Sequence, residues 1–313
     1  MRLYLRGVTA DHDIFDRPLL RRRRDRAAAD AARHEFLLAR VADDMEERLM
    51  LARRRLPLAL SLGAHHGLLG RRLGCVAGVE TVIEAESSAG LLAQCGGLRV
   101  RADDEMLPFR DQSLDLVVSG LSLHLVNDLP GALVQIRRAL KPDGLMLAWV
   151  LGGATLWQLR GALLAAEEEM EGGASPRVAP FADVRDYGAL LQRAKFALPV
   201  VDADTVTVTY ADPLALMREI RAMGAANALR ARRRTPLRRA TLMRALKIYA
   251  DRFALPDGRV PATFEIITLT GWAPHESQQQ PLQPGSARMR LADALGTTEV
   301  PTGDKAEPAK RDR

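Results

Sequence analysis

Pro57 to Leu69 reads PLALSLGAHHGLL: an apolar run stops at Gly63-Ala64-His65-His66-Gly67, and a helical pattern resumes at Leu68. The stretch predicts a buried strand, a glycine turn and a helix. Such a turn carries backbone N–H groups and a helix N-terminus toward a ligand, because glycine tolerates positive φ and close approach. Ser61, two residues before Gly63, and Ala64 and His65 inside the turn then belong to the same candidate site. Taken alone, the pattern fits many nucleotide sites and also ordinary tight turns.

Outward from this turn, strands and helices alternate. Upstream, Phe36, Leu37, Val41, Met45 and Leu49 recur at helical spacing, which predicts a helix packed on a sheet and ended by Pro57. Downstream, VETVIE (Val79 to Glu84) reads as a second strand whose terminal Glu84 stands where doubly wound folds place an acid on ribose hydroxyls. RVRADDEMLPF (Arg99 to Phe109) gives a third strand and an acidic loop, and LDLVVS (Leu114 to Ser119) a fourth. A helix through Leu133, Ile136 and Leu140 stops at Lys141-Pro142-Asp143-Gly144, before a fifth strand at Leu145 to Val150. This alternation predicts an α/β, doubly wound parallel sheet with helices on both faces. Beyond Leu151 the sequence predicts helices at Thr155 to Glu171 and Asp183 to Lys195, an antiparallel or edge strand ending in TVTVTY, two further helices, and a last strand at FEIITLTGW. The expected organisation is an N-terminal helical segment over 1–56, a main domain over 57–273 with a helical cap inserted at about 211–256, and a disordered tail from 274.

Composition narrows the function classes. The chain has 313 residues and a formal net charge of +6, and 40 of its 45 basic residues are arginine. Basic clusters occur at Arg21 to Arg24, Arg53 to Arg55 and Arg230 to Arg234, without the interleaved aromatics that single-stranded nucleic acid favours. They read as solvated helix faces, with an acidic protein or a membrane surface as the alternative. No nucleic acid is expected as a partner. Two cysteines exclude a disulfide framework or Cys-rich metal site, and neither a signal peptide nor a membrane span is expected. A cytoplasmic setting follows as the expectation.

Asp103-Asp104-Glu105, Leu107-Pro108-Phe109, Asp115-Leu116-Val117-Val118 and Leu140-Lys141-Pro142-Asp143-Gly144, taken with the glycine turn, resemble the class I S-adenosylmethionine (AdoMet) methyltransferases. The resemblance implies their seven-stranded Rossmann-like sheet and AdoMet as cofactor. It carries the adenine-binding acid onto Asp103 and the ribose-binding acid onto Glu84, with Ser61, Gly63, Ala64, His65, Gly67, Asp104 and Ser119 completing the cofactor site. Two positions depart from the family: His65 stands for the middle glycine and Ser61 for an acid. A narrower resemblance runs through Ile14-Phe15-Asp16-Arg17, Leu121-Ser122-Leu123-His124, Val126-Asn127-Asp128-Leu129-Pro130, Glu171-Gly172-Gly173, Val260-Pro261-Ala262-Thr263 and His275-Glu276-Ser277-Gln278. These look like the family of the mitochondrial respiratory complex I assembly factor 5. That implies hydroxylation of an arginine on a peripheral-arm subunit, a protein substrate met close to the inner membrane during assembly.

His124 follows the fourth strand, where open α/β sheets place their sites, and could act as a base or orient a substrate. A structural loop histidine is the equal alternative. Asn127 and Asp128 complete the catalytic candidates, although Asp128 ahead of Leu129-Pro130 equally reads as a helix N-cap. His65 and His66 are adjacent and diverge, so no metal site is assembled from local sequence. The acidic run Glu167 to Glu169 reads as a solvated face or as a receiver for an arginine-bearing loop. Two rival functions remain: a conventional methyltransferase on a small acid or acyl-carrier thioester, and a non-catalytic assembly chaperone.

Overall fold

The computed structural model describes residues 13–52, 54–279, 286 and 289–298. The first residues, Arg53 of the second basic cluster and much of the tail therefore lie outside the described residues. Contacts divide the chain into Met1–His275 and Glu276–Arg313. In the second unit Leu291–Leu295 forms a short helix, where the sequence suggested no order.

Seven strands form one sheet: β1 Leu58–Leu62, β2 Thr81–Ala85, β3 Leu98–Val100, β4 Leu114–Gly120, β5 Leu140–Leu151, β6 Ala197–Tyr210 and β7 Val260–Trp272. Their order is β3-β2-β1-β4-β5-β7-β6. The first five are parallel, and β7 runs antiparallel between β5 and β6. The central strands are apolar without interruption because helices cover both faces. Strand order reverses between β1 and β4, which opens a crevice at their C-terminal ends, and the glycine turn leaves β1 at that point. β5 begins earlier than Lys141-Pro142-Asp143-Gly144 suggests. Leu140 pairs with Leu114 and Leu145 with Leu116, so the turn residues bulge out of a continuous strand, with Asp143 at φ 62°.

The helices are α1 Arg17–Ala27, α2 Phe36–Ala52, α3 Leu68–Leu73, α4 Ala89–Leu92, α5 Leu129–Ala139, α6 Trp157–Glu171, α7 Val184–Arg193, α8 Pro213–Ala222, α9 Arg239–Phe253 and, in the second unit, α10 Leu291–Leu295. One face of the sheet packs on α2, α3, α6 and α9 through residues such as Met45, Leu73, Leu159 and Tyr249. The other packs on α5 and α7 through Leu133, Ile136, Tyr187 and Leu191. Leu37, Val41, Met45 and Leu49 of α2 are all buried in the first core, so this N-terminal helix shares the sheet's core.

α1 is separate from α2. Asp16 caps it by accepting the Leu19 N–H at 3.0 Å, Pro18 opens its first turn, and a 3-10 turn, Ala28–Arg33, leads into α2. Arg17 and Arg24 are two turns apart and share one face. That face lies on the crevice. The inserted segment is only partly a roof: Ile220 of α8 and Met223 beyond it wall the space below, whereas α9 packs against α6, with Trp157 edge-on to Phe253. No helix among the described residues is long and apolar enough to cross a membrane.

Candidate active site

The glycine turn is held tightly by its own neighbours. At Gly63, φ 63°, a Cβ would lie 2.3 Å from Ser122 Oγ in the loop after β4. At Gly67, φ 83°, it would lie 2.9 Å from the Cys95 Cα. Both positions therefore need glycine for backbone reasons before any ligand is considered. His65 takes φ 51°, rare for a residue with a Cβ, and its Nε2 donates to the Gly120 carbonyl at 2.9 Å. Its imidazole thus bridges the ends of β1 and β4. The turn's N–H groups are also engaged, Ala64 donating to Ala85 O and His65 to Glu86 Oε2, each at 3.0 Å.

Glu84, expected at the crevice, does not reach it; the acid that does is Glu86. Glu84 is buried beneath α3, where Oε2 accepts the Gly97 N–H at 2.6 Å and Oε1 fills the space beside Gly67 and Gly70. Glu84 and Glu86 are two apart, so alternation alone would put both on one face; β2 ends at Ala85, and a residue past that end swings to the crevice. Glu86 does so, fully buried, with its carboxylate accepting from His65 and Ser88. The signal in the sequence was the spacing of Glu86 from Ser88, which N-caps α4.

α1 meets these acids with arginine. Arg24 Nη1 stands 3.7 Å from Glu86 Oε1, and Arg17 Nη2 bonds Asp103 Oδ1 at 2.5 Å. Burial alone would raise the Asp103 carboxyl, but Arg17 outweighs it and holds that acid below its usual range. Asp104 lies behind, buried, with Oδ2 accepting from Ser122 Oγ at 2.5 Å, and burial raises its pKa. Ser61 and Ser119 do not meet: Ser61 shares a sheet face with Ala59 and its first-core neighbours, and Ser119 points to the opposite face from Val118. Both hydroxyls are buried without a partner.

Beneath α1 lies a cavity of about 90 Å³, walled by Leu20, Arg24, Leu37, His65, His66 and His124. A second, of about 130 Å³, shares His124, Leu20 and Leu37 and opens past Phe181 toward Arg177 and Asn227. His124 stands on the 3-10 turn Leu123–Leu125, edge-on to Phe181 with centroids 5.2 Å apart. Its Nδ1 is buried with no hydrogen-bond partner. Burial, then the nearby Arg24 charge, lowers its pKa to about 3, so the ring is neutral. Asn127 and Asp128 do not line either cavity. Asn127 accepts from Phe15 N at 2.7 Å and donates to Phe15 O, tying down the segment before α1, and Asp128 N-caps α5 through Gly131 N at 2.8 Å. The acidic run is no open receiver either, since Glu167 is buried against Arg177 and Ser175 while Glu169 pairs with Arg244.

Residues 58–148 match the family model described as a methyltransferase domain. The arginine hydroxylase NDUFAF5, mitochondrial, of Danio rerio is 39% identical over 292 residues, which is 90% of this chain and 89% of that protein. The chain belongs to the NDUFAF5 family. The Homo sapiens member is 38% identical over 96% of this chain and 90% of its own length. A malonyl-[acyl-carrier protein] O-methyltransferase of Halorhodospira halophila is 35% identical over 89% and 95% of the two chains. Among solved structures, the YcgJ protein of Bacillus subtilis superposes with a TM-score of 0.51 at 14% identity, covering 73% of this chain and 97% of that one. It shows the shared fold. NDUFAF5 members and methyltransferases are enzymes, and this chain is one of that superfamily.

The acids at the crevice have the chemistry that the methyltransferase resemblance implies for AdoMet. A carboxylate accepts two hydrogen bonds from a ribose diol, and Glu86 supplies one in place; Asp103 supplies an acceptor for an adenine amino group. Asp103 already accepts from Arg17, and Glu86 faces the Arg24 guanidinium at 3.7 Å. These two acceptors suit an adenosyl group, which would have to displace Arg24 and Arg17 to reach them.

Proposed function

We propose that this chain hydroxylates an arginine of a respiratory complex I subunit during assembly, acting from the cytoplasm and holding AdoMet at Glu86 and Asp103. One observation carries the reading. The likeness to the arginine hydroxylases extends over nine-tenths of both chains, far past the methyltransferase-domain segment 58–148 and through the inserted helices and β7.

The two joined cavities suit an arginine side chain. Their walls are mostly apolar, as an aliphatic stem needs, with Arg24, His65 and His66 at one end, and both include His124. A guanidinium has only donors. The partnerless Nδ1 of a neutral imidazole accepts one of them, whereas a protonated ring would offer no lone pair and would repel the cation. Phe181 holds that ring upright, and His124 is the residue we assign to orienting the substrate. AdoMet, in methyl transfer, supplies an electrophilic methyl group on its sulfonium.

The likeness to the malonyl-acyl-carrier methyltransferase over almost all of its length favours methyl transfer as the second reading. Peptide mass spectrometry of complex I peripheral-arm subunits from cells lacking the gene separates the two. Loss of one oxygen from one arginine is the expected result. Loss of a methylene, or methylation of a malonyl thioester by the purified chain, installs the second reading instead. Unchanged masses with failed assembly overturn both.

A further inference from the structure

The Arg21–Arg24 and Arg230–Arg234 clusters, remote in sequence, converge in the fold. Phe15 and Leu229 form an antiparallel bridge, the Asp16 N–H donates to Ala228 O at 2.8 Å, and Arg232 Nη2 lies 3.1 Å from Asp16 Oδ2. A cleft of about 480 Å³ opens beside this junction, lined by Arg22, Arg23 and Arg234 among others. A second, of about 470 Å³, shares Arg23 and continues along Arg26, Arg218 and Arg221.

These six arginines make no ion pair among the described residues. Several arginines elsewhere are matched, as Arg40 is to Asp204, Arg48 to Asp44 and Asp202, and Arg55 to Glu80, and others such as Arg99 and Arg185 are not; what sets the six apart is that they line two adjoining clefts. Arg23 is pushed below its usual range, first by burial and then by Arg232. Like charges gathered in a concave site focus a positive field that a polyanion relieves. The location gives the anion a role, because Arg177 and Asn227 line both the first cleft and the inner cavity that reaches His124.

The occupant is narrowed by what the clefts lack. Among the described residues, none of the exposed large apolar side chains lines them, and insertion into a bilayer needs such groups. Among the described residues no aromatic ring lines them for base stacking. We propose that the joined arginine clefts bind an acidic segment of the protein substrate and so present a neighbouring residue to the His124 cavity. The proposal rests on the protein-substrate reading above.

The test uses the full chain and a fluorescein-labelled poly-L-glutamate peptide read by anisotropy. Wild type binds, with affinity falling as salt rises. Arg22→Glu with Arg234→Glu weakens binding by about tenfold or more, as loss of charge-assisted contacts does. Arg99→Glu with Arg110→Glu, an equal charge change away from the clefts, leaves it within about twofold. Equal loss in both variants overturns the proposal, since net charge then suffices. So does cleft-dependent binding to phosphatidylglycerol vesicles that excludes the peptide. Anisotropy reads binding alone: a chain that binds the peptide and modifies no arginine overturns the reaction proposed above, and one that modifies arginine without binding the peptide overturns the clefts.

Discussion

Arg24 and Glu86 face each other at the C-terminal edge of the sheet, 3.7 Å apart, with side-chain exposures of only 5% and 0%. The carboxylate also accepts from His65 and Ser88, so the pair joins α1, the glycine turn and the start of α4. If AdoMet is held at Glu86 as proposed, this pair must part to admit it.

Breaking a buried pair strands a charge. Arg24→Met is expected to cost about 3 kcal/mol of stability, and Arg24→Met with Glu86→Gln to cost less than the sum of the single changes. Urea denaturation measures both. Calorimetry then reads the exchange: AdoMet should bind more tightly to Arg24→Met and more weakly to Glu86→Gln. Unchanged affinity in both variants would falsify the assignment of Glu86.

Gly63→Ala combines a left-handed φ with a Cβ placed against Ser122. It should cost more than about 2 kcal/mol, of which the left-handed conformation accounts for roughly 1–2. Adding Ser122→Gly should restore part of the remainder, since it relieves the clash but forfeits the Ser122 bond to Asp104, as thermal melting of the two variants will show. Failure of that rescue would place the strain elsewhere.

His65→Gly removes a side chain from φ 51° and also the imidazole bond to Gly120. The conformational gain and the lost hydrogen bond are each about 1 kcal/mol, so stability should change little. Affinity for AdoMet should rise, because the ring leaves the crevice. A variant that instead unfolds would show the bridge from β1 to β4 to be the residue's whole purpose.

Part of the pH dependence of stability follows from His124, and His65, lowered likewise to about 3 by burial, adds to it. The folded His124 pKa of about 3 lies below the ordinary 6.5, so between these values the unfolded chain binds the extra proton. Stability is therefore full above about 6.5 and falls as pH drops toward 3, by up to about 1.4 kcal/mol per pH unit. Denaturation at pH 7 and pH 5 should show a shallower difference in His124→Gln than in wild type. Equal slopes would mean that the ring titrates normally in the fold.

Pattern alone located every strand of the sheet, because a central parallel strand must be apolar throughout and each is separated by a helix or turn with its own stop signal. β6 and β7 were legible as well, although both extend further than their apolar cores. The candidate site was legible in outline only. His124 was found from its place after β4, but Asn127 and Asp128, equally close in sequence, turn out to fasten Phe15 and cap α5. The acid at the crevice lies two residues past the expected Glu84, at Glu86; both are acidic and share a strand face, so alternation could not separate them. What separates them is how far past the strand end each one lies.

The order of residues by itself determined the α/β alternation, the glycine turn at the head of the sheet and the family, since these rest on local spacing and short motifs. The tertiary structure decided which charges meet. Arg17 and Arg24 reach Asp103 and Glu86 only because α1 folds back over the strand ends, and two arginine clusters share a groove only because Phe15 pairs with Leu229. Such contacts join segments remote along the chain. Electrostatic interaction depends on distance and burial in space, and neither is written in the spacing of residues.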